Sequence, residues 1–449
     1  MATLPPGAWP SPITAQMLAQ AGKIVRWTCS CETDVFWDET RPTEGGRTVI
    51  VSRALGDVLP APWSAKTSLH ECVNCNLNPP PSNTLRMYGG CPFLVVRRSE
   101  QLLLIFAEKS DQRLYMLPLG SGQSPVAISP PPPSPKSWRF AEIIAGPSDE
   151  FWCIREMHAE DHSVSRDLVA VSTSGNLRSL ICVPSANFYA HPRLSPGGTR
   201  FCFLTWSHPN MPWDSTQLHV ADVDASGHVL NPRVVMGGDE VSVLSPEWLN
   251  DDERIVCISD SSGWYNPWIV HVSGACPPSH LIQEPAEWGV PYWLAGYTSL
   301  LPLPNDRILA AHGPPHLHRL AIIDAAAASF ADIPSDYTSI SHSFSVDVTR
   351  NRAFAVAAGP LTPYALIEID LPSLAVTCVI DSIRPPCAPE FLPLPRPICV
   401  SGSSGRSVHA ILHPATHPAH SASGPTPLIV TAHGGPTSAA TAALRLKFA

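Results

Sequence analysis

The chain has 449 residues, enough for two or three average domains or for one large repetitive domain followed by part of another. Charged residues make up only 15% of it, and its 50 prolines argue against long helices. A net charge of −9 gives no basic surface for nucleic acid or anionic lipid, so we expect neither nucleic acid nor a membrane as a partner. A neutral substrate or a protein partner fits this composition better.

The N-terminal residues Met1–Pro12 lack the basic and continuous apolar regions of a secretory signal. The chain also lacks the run of about 18 apolar residues that a membrane-spanning helix needs. The sequence therefore predicts a cytoplasmic protein, in which cysteines stay reduced. We expect the thirteen cysteines to be buried thiols in apolar strands, as in Phe201–Leu204 and Ile255–Ile258.

Two groups of residues have side chains that bind metals, but neither has a convincing pattern. Candidate zinc ligands are Cys29, Cys31, Cys72 and Cys75. These two pairs lack a matched spacing, and the chain has no second C-x-x-C. The other group lies in one loop and consists of His158, Glu160, Asp161 and His162. It has no second ligand cluster nearby in sequence, so we predict no metal ion and no cofactor.

Short apolar runs recur along most of the chain between turns of Gly, Asp, Asn or Pro, as is typical of an all-β repeat fold. The clearest copy is Tyr189–Trp206 followed by Gln217–Asp224, and a second is Leu244–Ser259 followed by Trp268–Val272. The period of roughly 45 to 55 residues is that of propeller blades. Weaker copies lie at Leu102–Leu117, Phe151–Val171, Ser299–Asp324 and Ser343–Asp370.

A four-stranded blade cannot bury both of its faces alone, so such copies stack radially around an axis. We therefore predict an all-β fold with an N-terminal segment of residues 1–34, a β-propeller of residues 35–395 and the start of another domain in residues 396–449. Seven blades fit the spacing best, with six or eight left open. The alternative is an irregular array of β-sandwiches, which seldom repeat one Ser-Pro turn ahead of a buried strand.

Beyond the propeller, the sequence predicts a hairpin with strands at Ile398–Val400 and Val408–Leu412. A buried apolar strand, Leu428–Ala432, then leads into a turn of His433, Gly434, Gly435 and Pro436. α/β-Hydrolases use such a turn to place backbone N–H groups beside a developing oxyanion, since glycine lets the main chain approach closely. The nucleophile elbow Gly-x-Ser-x-Gly, which should follow in chain order with an Asp and a His, does not follow it in this chain.

These motifs resemble the prolyl oligopeptidase family of serine peptidases, in particular its acylaminoacyl-peptidase and dipeptidyl-aminopeptidase-like members. The most specific strings are Ser207–Asp214 and His433–Ala440. The likeness extends over nearly the whole chain, including Gly7–Thr14, Arg41–Thr48, Ser259–Trp264 and Glu284–Trp288. It implies a propeller that caps a C-terminal α/β-hydrolase domain, with peptides cleaved in the cavity between the two.

By this resemblance, the hydrolase domain begins at Ile398, and His433 with the Gly434 and Gly435 backbone occupies the oxyanion loop. The catalytic Ser, Asp and His have no counterparts, so the chain corresponds to a hydrolase domain truncated after that loop. Ser401–Gly405 has serine where the elbow needs its first glycine, and we interpret it as a hairpin turn.

The resemblance is interrupted at one place, where the family carries an uninterrupted His-Glu-Tyr-Gly-Gly string. In this chain His70–Glu71 is separated from Tyr88–Gly90 by Cys72–Met87. One hypothesis is that this insert is translated intron and that the end of the chain has a similar origin. The alternative is a real surface loop, which is tolerated because loop-closure entropy grows slowly with length.

Four residues are candidates for substrate binding. Glu284 and Glu287 lie in an acidic turn, and as paired carboxylates they could bind the amino terminus of a peptide; the alternative is a solvated blade loop. Trp213 and Asp214 lie in a long Pro-rich loop that interrupts a blade, and such loops often line binding cavities. The alternative for Trp213 is a structural side chain at a sheet edge.

Two functions follow from this interpretation. In the first, a full-length form is a serine-type peptidase that releases dipeptides or acylated residues from short peptides, with the propeller as a size filter. The present chain would then be inactive by itself. In the second, the chain is a non-enzymatic propeller that binds peptides or proteins. A homo-oligomer is compatible with both functions.

Two arginines, Arg193 and Arg200, lie near blade turns, and we expect both side chains to be solvated.

Overall fold

The computed structural model describes residues 7–19, 22–69, 89–314, 316–383, 385, 387–421, 426–434 and 437–445. Within these residues, seven four-stranded antiparallel sheets follow one another along the chain, and a two-stranded hairpin comes after them. The sheets are the blades of a seven-bladed β-propeller, which confirms the predicted fold and blade number. One short helix, α1 (Ala15–Ala19), precedes the first blade, and no helix in the described part of the chain is long and apolar enough to cross a bilayer.

Each blade takes its four strands from consecutive sequence. Blade 1 consists of β1 Ile24–Cys31, β2 Asp34–Arg41, β3 Arg47–Ser52 and β4 Gly56–Asp57. Blade 2 consists of β5 Phe93–Arg98, β6 Gln101–Ala107, β7 Leu114–Pro118 and β8 Val126–Ala127. Blade 3 consists of β9 Trp138–Ala145, β10 Glu150–His158, β11 Val164–Ser172 and β12 Leu177–Ile181. Blade 4 consists of β13 Phe188–Leu194, β14 Arg200–Trp206, β15 Gln217–Val223 and β16 Val229–Gly237.

The second half of the ring repeats this plan. Blade 5 consists of β17 Val243–Trp248, β18 Arg254–Ser259, β19 Asn266–His271 and β20 Ser279–His280. Blade 6 consists of β21 Leu300–Leu303, β22 Arg307–His312, β23 Arg319–Asp324 and β24 Ser329–Ile333. Blade 7 consists of β25 Ser339–Asp347, β26 Arg352–Ala358, β27 Ala365–Asp370 and β28 Val376–Asp381. The hairpin that follows pairs β29 Arg396–Ser401 with β30 Ser407–Leu412, as predicted.

The first strand of every blade lies next to the axis, since the first strands of neighbouring blades contact one another around the ring. Blades 7 and 1 close the ring without exchanging a strand. Instead, the Thr28 amide donates to Ser343 Oγ at 3.1 Å, and the Thr28 and Ser345 hydroxyls bond at 3.0 Å. Apolar side chains of both blades pack together beside these bonds, so closure rests on side-chain hydrogen bonds and packing.

The first blade starts earlier than predicted. β1 begins at Ile24, inside the segment of residues 1–34 that we assigned to the N-terminus. The sequence signal is weak because β1 mixes charged, polar and cysteine residues, and only part of the strand is buried. At the other end, blade 7 ends at Asp381 and the hairpin begins at Arg396, close to the predicted boundary. The assignment of residues 396–449 to a hydrolase domain stays a prediction.

Burial of the cysteines follows their strands. Cys153, Cys202 and Cys257 lie in inner strands and are fully buried, as predicted, and burial raises the pKa of Cys257 to about 12. The prediction was wrong for cysteines in turns and outer strands, where one side of the blade faces solvent. These exposed thiols are Cys182, Cys276, Cys378 and Cys399.

One connection between blades does not follow the ring. It links β20 of blade 5 to β21 of the neighbouring blade 6, yet Ala295 within it pairs with Gly90 just before blade 2. The Cys91 amide donates to the Ala295 carbonyl at 2.8 Å. Blade 2 lies across the ring from blade 5, so this connection has to pass over the axis. We call residues Trp288–Tyr297 the crossing segment.

The crossing segment also contacts blades 1 and 3. The Tyr292 hydroxyl donates to Glu142 in β9, and the Tyr297 ring lies 5.6 Å from the Trp27 ring in β1. The fit is close at Gly296, whose φ is +94° and where a Cβ would lie 2.9 Å from Cys91 Cβ. Only glycine adopts this conformation without strain and leaves room for Cys91. The segment is therefore fixed on several sides of the channel at once.

The C-terminal residues fall into two parts. Residues 426–434 contain no strand, and Leu428, Ile429 and Val430 are exposed at 74%, 88% and 82%. The predicted buried strand Leu428–Ala432 is therefore wrong for this chain, because its backbone pairs with no strand among the residues that the structure describes. The following stretch, residues 437–445, docks on the propeller instead. Ala443 is 1% exposed, and the Leu444 amide donates to the Gly359 carbonyl at 2.9 Å.

Candidate functional site

Strand direction decides which loops share a face of the propeller. The strands of each blade alternate in direction. The loop between the second and third strands of a blade therefore lies at the same face as the links between blades. That face carries the loop of residues 207–216 in blade 4, the loop of residues 260–265 in blade 5 and the crossing segment. It also receives residues 437–445. We call it the site face.

Trp213 and Asp214 both lie on the site face, in the loop between β14 and β15. The Trp213 ring centroid is 4.4 Å from that of Trp293 in the crossing segment. Asp214 is exposed, and its Oδ2 accepts the Met211 amide at 2.9 Å, which closes a tight turn. The loop therefore presents an aromatic ring toward the axis and a carboxylate beside it.

Glu284 and Glu287 lie between blades 5 and 6, directly before the crossing segment. The Glu284 amide donates to Asn266 Oδ1 at 2.9 Å, and its carbonyl accepts Asn266 Nδ2 at 3.1 Å, so its backbone is held. Glu287 Oε2 accepts the Tyr265 amide at 2.9 Å. Burial raises the pKa of Glu287, and the nearby Asp260 carboxylate raises it further. The carboxylate that raises the pKa of Glu287 is thus Asp260. The pairing of Glu287 with Glu284 stays a prediction.

Tyr265 connects the two loops that sequence patterns identified separately. Its hydroxyl donates to Ser242 Oγ at 3.2 Å, and Ser242 in turn donates to the Pro212 carbonyl at 2.7 Å. Burial raises the pKa of Tyr265 to about 12, and carboxylates on both loops contribute. We name this area the acidic–aromatic patch; its residues are Trp213, Asp214, Asp260, Tyr265, Glu287 and Trp293.

The oxyanion-loop candidates are only partly placed. His433 is exposed, and its Nδ1 lies 2.7 Å from the Gly434 carbonyl as a local hydrogen bond. Gly434 has open space where a side chain would project, and Gly435 lies outside the described residues. Shortly after this turn, the Thr437 carbonyl accepts the Trp293 indole N–H at 2.8 Å. The turn is thus linked to the acidic–aromatic patch through Trp293.

Buried and half-buried polar side chains form a second cluster, at the axis. Glu142 accepts the Tyr292 hydroxyl and the His191 amide, the latter at 3.0 Å. Arg193 Nε donates to Glu247 at 2.8 Å, and an Arg193 nitrogen lies 4.0 Å from Glu142. Our expectation that Arg193 is solvated was wrong, because β13 is an innermost strand and turns this side chain toward two carboxylates. Arg200, in contrast, forms a surface ion pair with a partly exposed carboxylate.

Local backbone geometry explains how these side chains reach the axis. Glu142, His191 and Ser245 occupy bulges in the first strands of blades 3, 4 and 5, with φ of 51°, 49° and 48°. A bulge re-aims the side chain of the extra residue. Burial raises the pKa of Glu142, while Arg193 and the Tyr292 hydroxyl oppose that shift. The crossing segment is therefore held by a carboxylate that the strand geometry directs inward.

A serine and a histidine are also in contact near the axis, but they cannot act as a catalytic pair. Ser299 Oγ lies 3.0 Å from His342 Nδ1, and both side chains are buried. Burial lowers the pKa of His342 to about 3, so it does not accept a proton at neutral pH. Its Nε2 has no hydrogen-bond partner among the described residues. A buried pair of this kind is not reachable by a peptide bond.

The candidate metal ligands are dispersed. His158 bonds to Glu156 at 2.7 Å, and Asp161 accepts the Ser163 amide at 2.9 Å. Cys72 and Cys75 lie outside the described residues, as does the junction between His70 and Tyr88. Across the described part of the chain, no group of three or more His, Cys, Asp or Glu side chains is arranged to hold a metal ion.

Comparison with solved structures identifies clear relatives. A puromycin-hydrolyzing peptidase of Mycobacterium tuberculosis matches with a TM-score of 0.88 and 32% identity, over 100% of this chain and 68% of that one. A puromycin hydrolase matches with a TM-score of 0.88 and 30% identity, over 100% of this chain and 67% of that one. Prolyl oligopeptidase B from Galerina marginata, at 11% identity and a TM-score of 0.59, shares the fold over 88% of this chain and 55% of its own. No protein-family model and no curated protein sequence matches.

The seven-bladed propeller of this chain matches the propeller domain of these peptidases. The chain spans about two thirds of the length of the puromycin-hydrolysing relatives. It belongs to the prolyl oligopeptidase family of serine peptidases.

Sequence patterns did not reveal several residues of the two clusters. Asp260, Tyr265 and Trp293 lie in ordinary-looking loops, and only the folded ring brings them together. Glu142 had a usable signal, since it is a single carboxylate inside the apolar strand Trp138–Ala145. A charged residue in such a strand needs buried partners, which predicts a polar network.

Proposed function

We propose that this chain provides the propeller of a serine-type peptidase that, in full-length form, releases dipeptides or acylated residues from short peptides. The relative with 32% identity is a peptidase that hydrolyses puromycin, and the relative with 30% identity is a puromycin hydrolase. Puromycin is a small molecule, which supports a small substrate. We propose a cytoplasmic location as well, because the described cysteines are free thiols.

We further propose that the acidic–aromatic patch binds the amino end of the peptide. The observation that carries this proposal is the half-buried Glu287 carboxylate, fixed by the Tyr265 amide at 2.9 Å with Asp260 nearby. A cationic amino group would relieve the repulsion between these carboxylates. Trp213 and Trp293 lie at the same face and offer rings against which an apolar side chain of the peptide can pack.

A peptide titration tests the recognition step. The tripeptide Phe-Gly-Gly is expected to change the tryptophan fluorescence of the chain. Glu287→Gln is expected to weaken its binding about 10- to 100-fold, since a hydrogen bond to a charged group contributes roughly 1.5–3 kcal/mol. The matched control is Glu253→Gln, the same change in a turn of blade 5 at the opposite face. Equal binding of N-acetylated Phe-Gly-Gly would favour acylated substrates, and equal binding by all three proteins would contradict the assignment of the patch.

By itself, the chain is proposed not to hydrolyse peptides, because its sequence contains no Gly-x-Ser-x-Gly elbow. Incubation with chromogenic aminoacyl and dipeptidyl substrates is expected to release no product. A fluorophosphonate probe, which labels activated serines, is expected to leave the chain unmodified. Covalent labelling of any serine would overturn this part of the proposal, and peptide binding without hydrolysis would fit a binding module equally well.

A further inference from the structure

Trp293 is the residue through which the propeller contacts the chain just after the oxyanion-loop turn. Its indole Nε1–H donates to the Thr437 carbonyl at 2.8 Å. Thr437 follows His433 and Gly434 closely in sequence, so a fixed Thr437 restricts where that turn can lie. An N–H···O bond of this length is well formed.

A second anchor holds the same stretch of chain farther on. The Leu444 amide donates to the Gly359 carbonyl in blade 7 at 2.9 Å, and Ala443 beside it is 1% exposed. Residues 437–444 are thus held at both ends. The run before them is different, because Ile429 is 88% exposed. The Trp293 bond is thus the first of two anchors, and residues 438–440 between the two anchors are exposed.

Trp293 is itself held in place by its neighbours in the crossing segment. Tyr292 donates to the buried Glu142, and Ala295 pairs with Gly90 across the channel. The Trp213 ring packs against the Trp293 ring at 4.4 Å. A donor whose backbone and ring are already fixed loses little entropy when it binds its acceptor, which makes the bond an effective restraint.

We propose that Trp293 is a positioning residue, which holds the oxyanion-loop turn of His433 and Gly434 over the site face by binding the Thr437 carbonyl. This inference rests on the proposed function, since the turn has a catalytic role only in a complete peptidase. In such an enzyme the bond would couple the propeller to the oxyanion loop directly. The crossing segment would then position both the acidic–aromatic patch and the oxyanion loop.

Hydrogen exchange of the 449-residue chain tests the restraint without any activity assay. Trp293→Phe keeps a ring in place and removes the N–H donor. The amides of residues 437–445, with Leu444 as the main reporter, are expected to exchange about two- to tenfold faster, the range that corresponds to one net hydrogen bond. Trp213→Phe is the matched control, because it makes the same change in the stacked ring and leaves the bond to Thr437 in place.

A rescue variant separates the hydrogen bond from ring packing. Trp293→His keeps a ring N–H and is expected to restore part of the lost protection, although it packs less well. Unchanged exchange in Trp293→Phe, or equal acceleration in Phe and His variants of Trp293, would overturn the proposal. Exchange results do not depend on peptide binding or hydrolysis, so a failed binding test would leave this inference standing and would count only against the proposed function.

Discussion

The crossing segment and the run at residues 428–430 are both rich in apolar residues, but they differ in burial. Trp288 in the crossing segment is fully buried, with its ring stacked on His312 at a centroid distance of 4.3 Å. Val430 is 82% exposed. The crossing segment contacts blades on all sides of the channel and a buried carboxylate. The run at 428–430, in contrast, pairs with no strand in the described part of the chain. Hydrophobicity alone does not decide burial, and the presence of partner surfaces in the same chain does.

The largest expected effect is a contrast in stability between these two regions. Trp288→Ala should lower the free energy of unfolding by about 4 kcal/mol, because it empties a filled site between blades. Ile429→Ala should change it by less than about 0.5 kcal/mol, since the side chain is already in water. Urea unfolding of both variants measures the difference. Similar losses of stability in the two variants would show that the two side chains do not differ in burial.

The buried carboxylate that holds the crossing segment should come next. Glu142→Ala leaves the Tyr292 hydroxyl and the His191 amide without their acceptor. It also removes one of the two carboxylates near Arg193. We expect a loss of about 3 kcal/mol, as for removal of one partner from a buried polar pair. Asp252→Ala, in a half-buried turn of blade 5 where the carboxylate accepts the Gly197 amide and the Thr199 hydroxyl, is the control and should cost less. A loss below about 1 kcal/mol for Glu142→Ala would show that the network does not hold the segment.

A pH effect is expected from His342, which lies in the innermost strand of blade 7. Burial lowers its pKa to about 3. Between that value and the ordinary histidine pKa, the unfolded chain therefore binds a proton at His342 and the folded chain does not. Its contribution to stability is therefore full above the ordinary histidine pKa and is lost as pH falls toward the folded value. Between about pH 7 and about pH 5 this amounts to roughly 2 kcal/mol.

His342→Gln is the variant that isolates this contribution. Glutamine does not titrate and retains a polar group near Ser299, so the acid-side loss of stability should be smaller by that amount. Urea unfolding of wild type and variant at the two pH values gives the difference. An identical pH dependence in both proteins would mean that His342 is not held in its neutral form.

The smallest expected effect concerns the exposed run. Val430→Lys should leave the free energy of unfolding within about 0.5 kcal/mol of wild type, because no packing is lost. It should raise solubility, since a charge interrupts an apolar segment that is free to pair with another chain. Light scattering during storage measures this change. Equal aggregation of wild type and variant would mean that the run is covered.

Much of the fold could be predicted from the sequence because blades are local. Each blade comes from consecutive strands, so the repeated turn and apolar strand in Tyr189–Trp206 and Leu244–Ser259 predicted both repeat and period. β1 was missed because it mixes polar and apolar residues, and a strand of that kind lacks a clear alternation. The fate of Leu428–Ala432 was mispredicted because a strand needs a partner, which local sequence does not provide.

The candidate site was less predictable, since it is built from long-range contacts. Trp213 and Glu287 were found as unusual residues in long loops, but their connection through Tyr265 and Ser242 depends on how blades 4 and 5 sit together. The contact between Trp293 and Thr437 joins residues far apart in the chain. No local pattern encodes such a pair, although a lone carboxylate such as Glu142 in an apolar strand does indicate a buried partner.

Amide hydrogen exchange of the wild-type chain tests the contrast between the two regions most directly. We expect amides of the crossing segment, such as that of Ala295, to exchange orders of magnitude more slowly than in an unfolded peptide, and those of Leu428–Val430 to exchange at about the unfolded rate. Comparable protection in both regions would contradict it, because the exposed run would then have a partner or the crossing segment would not be fixed.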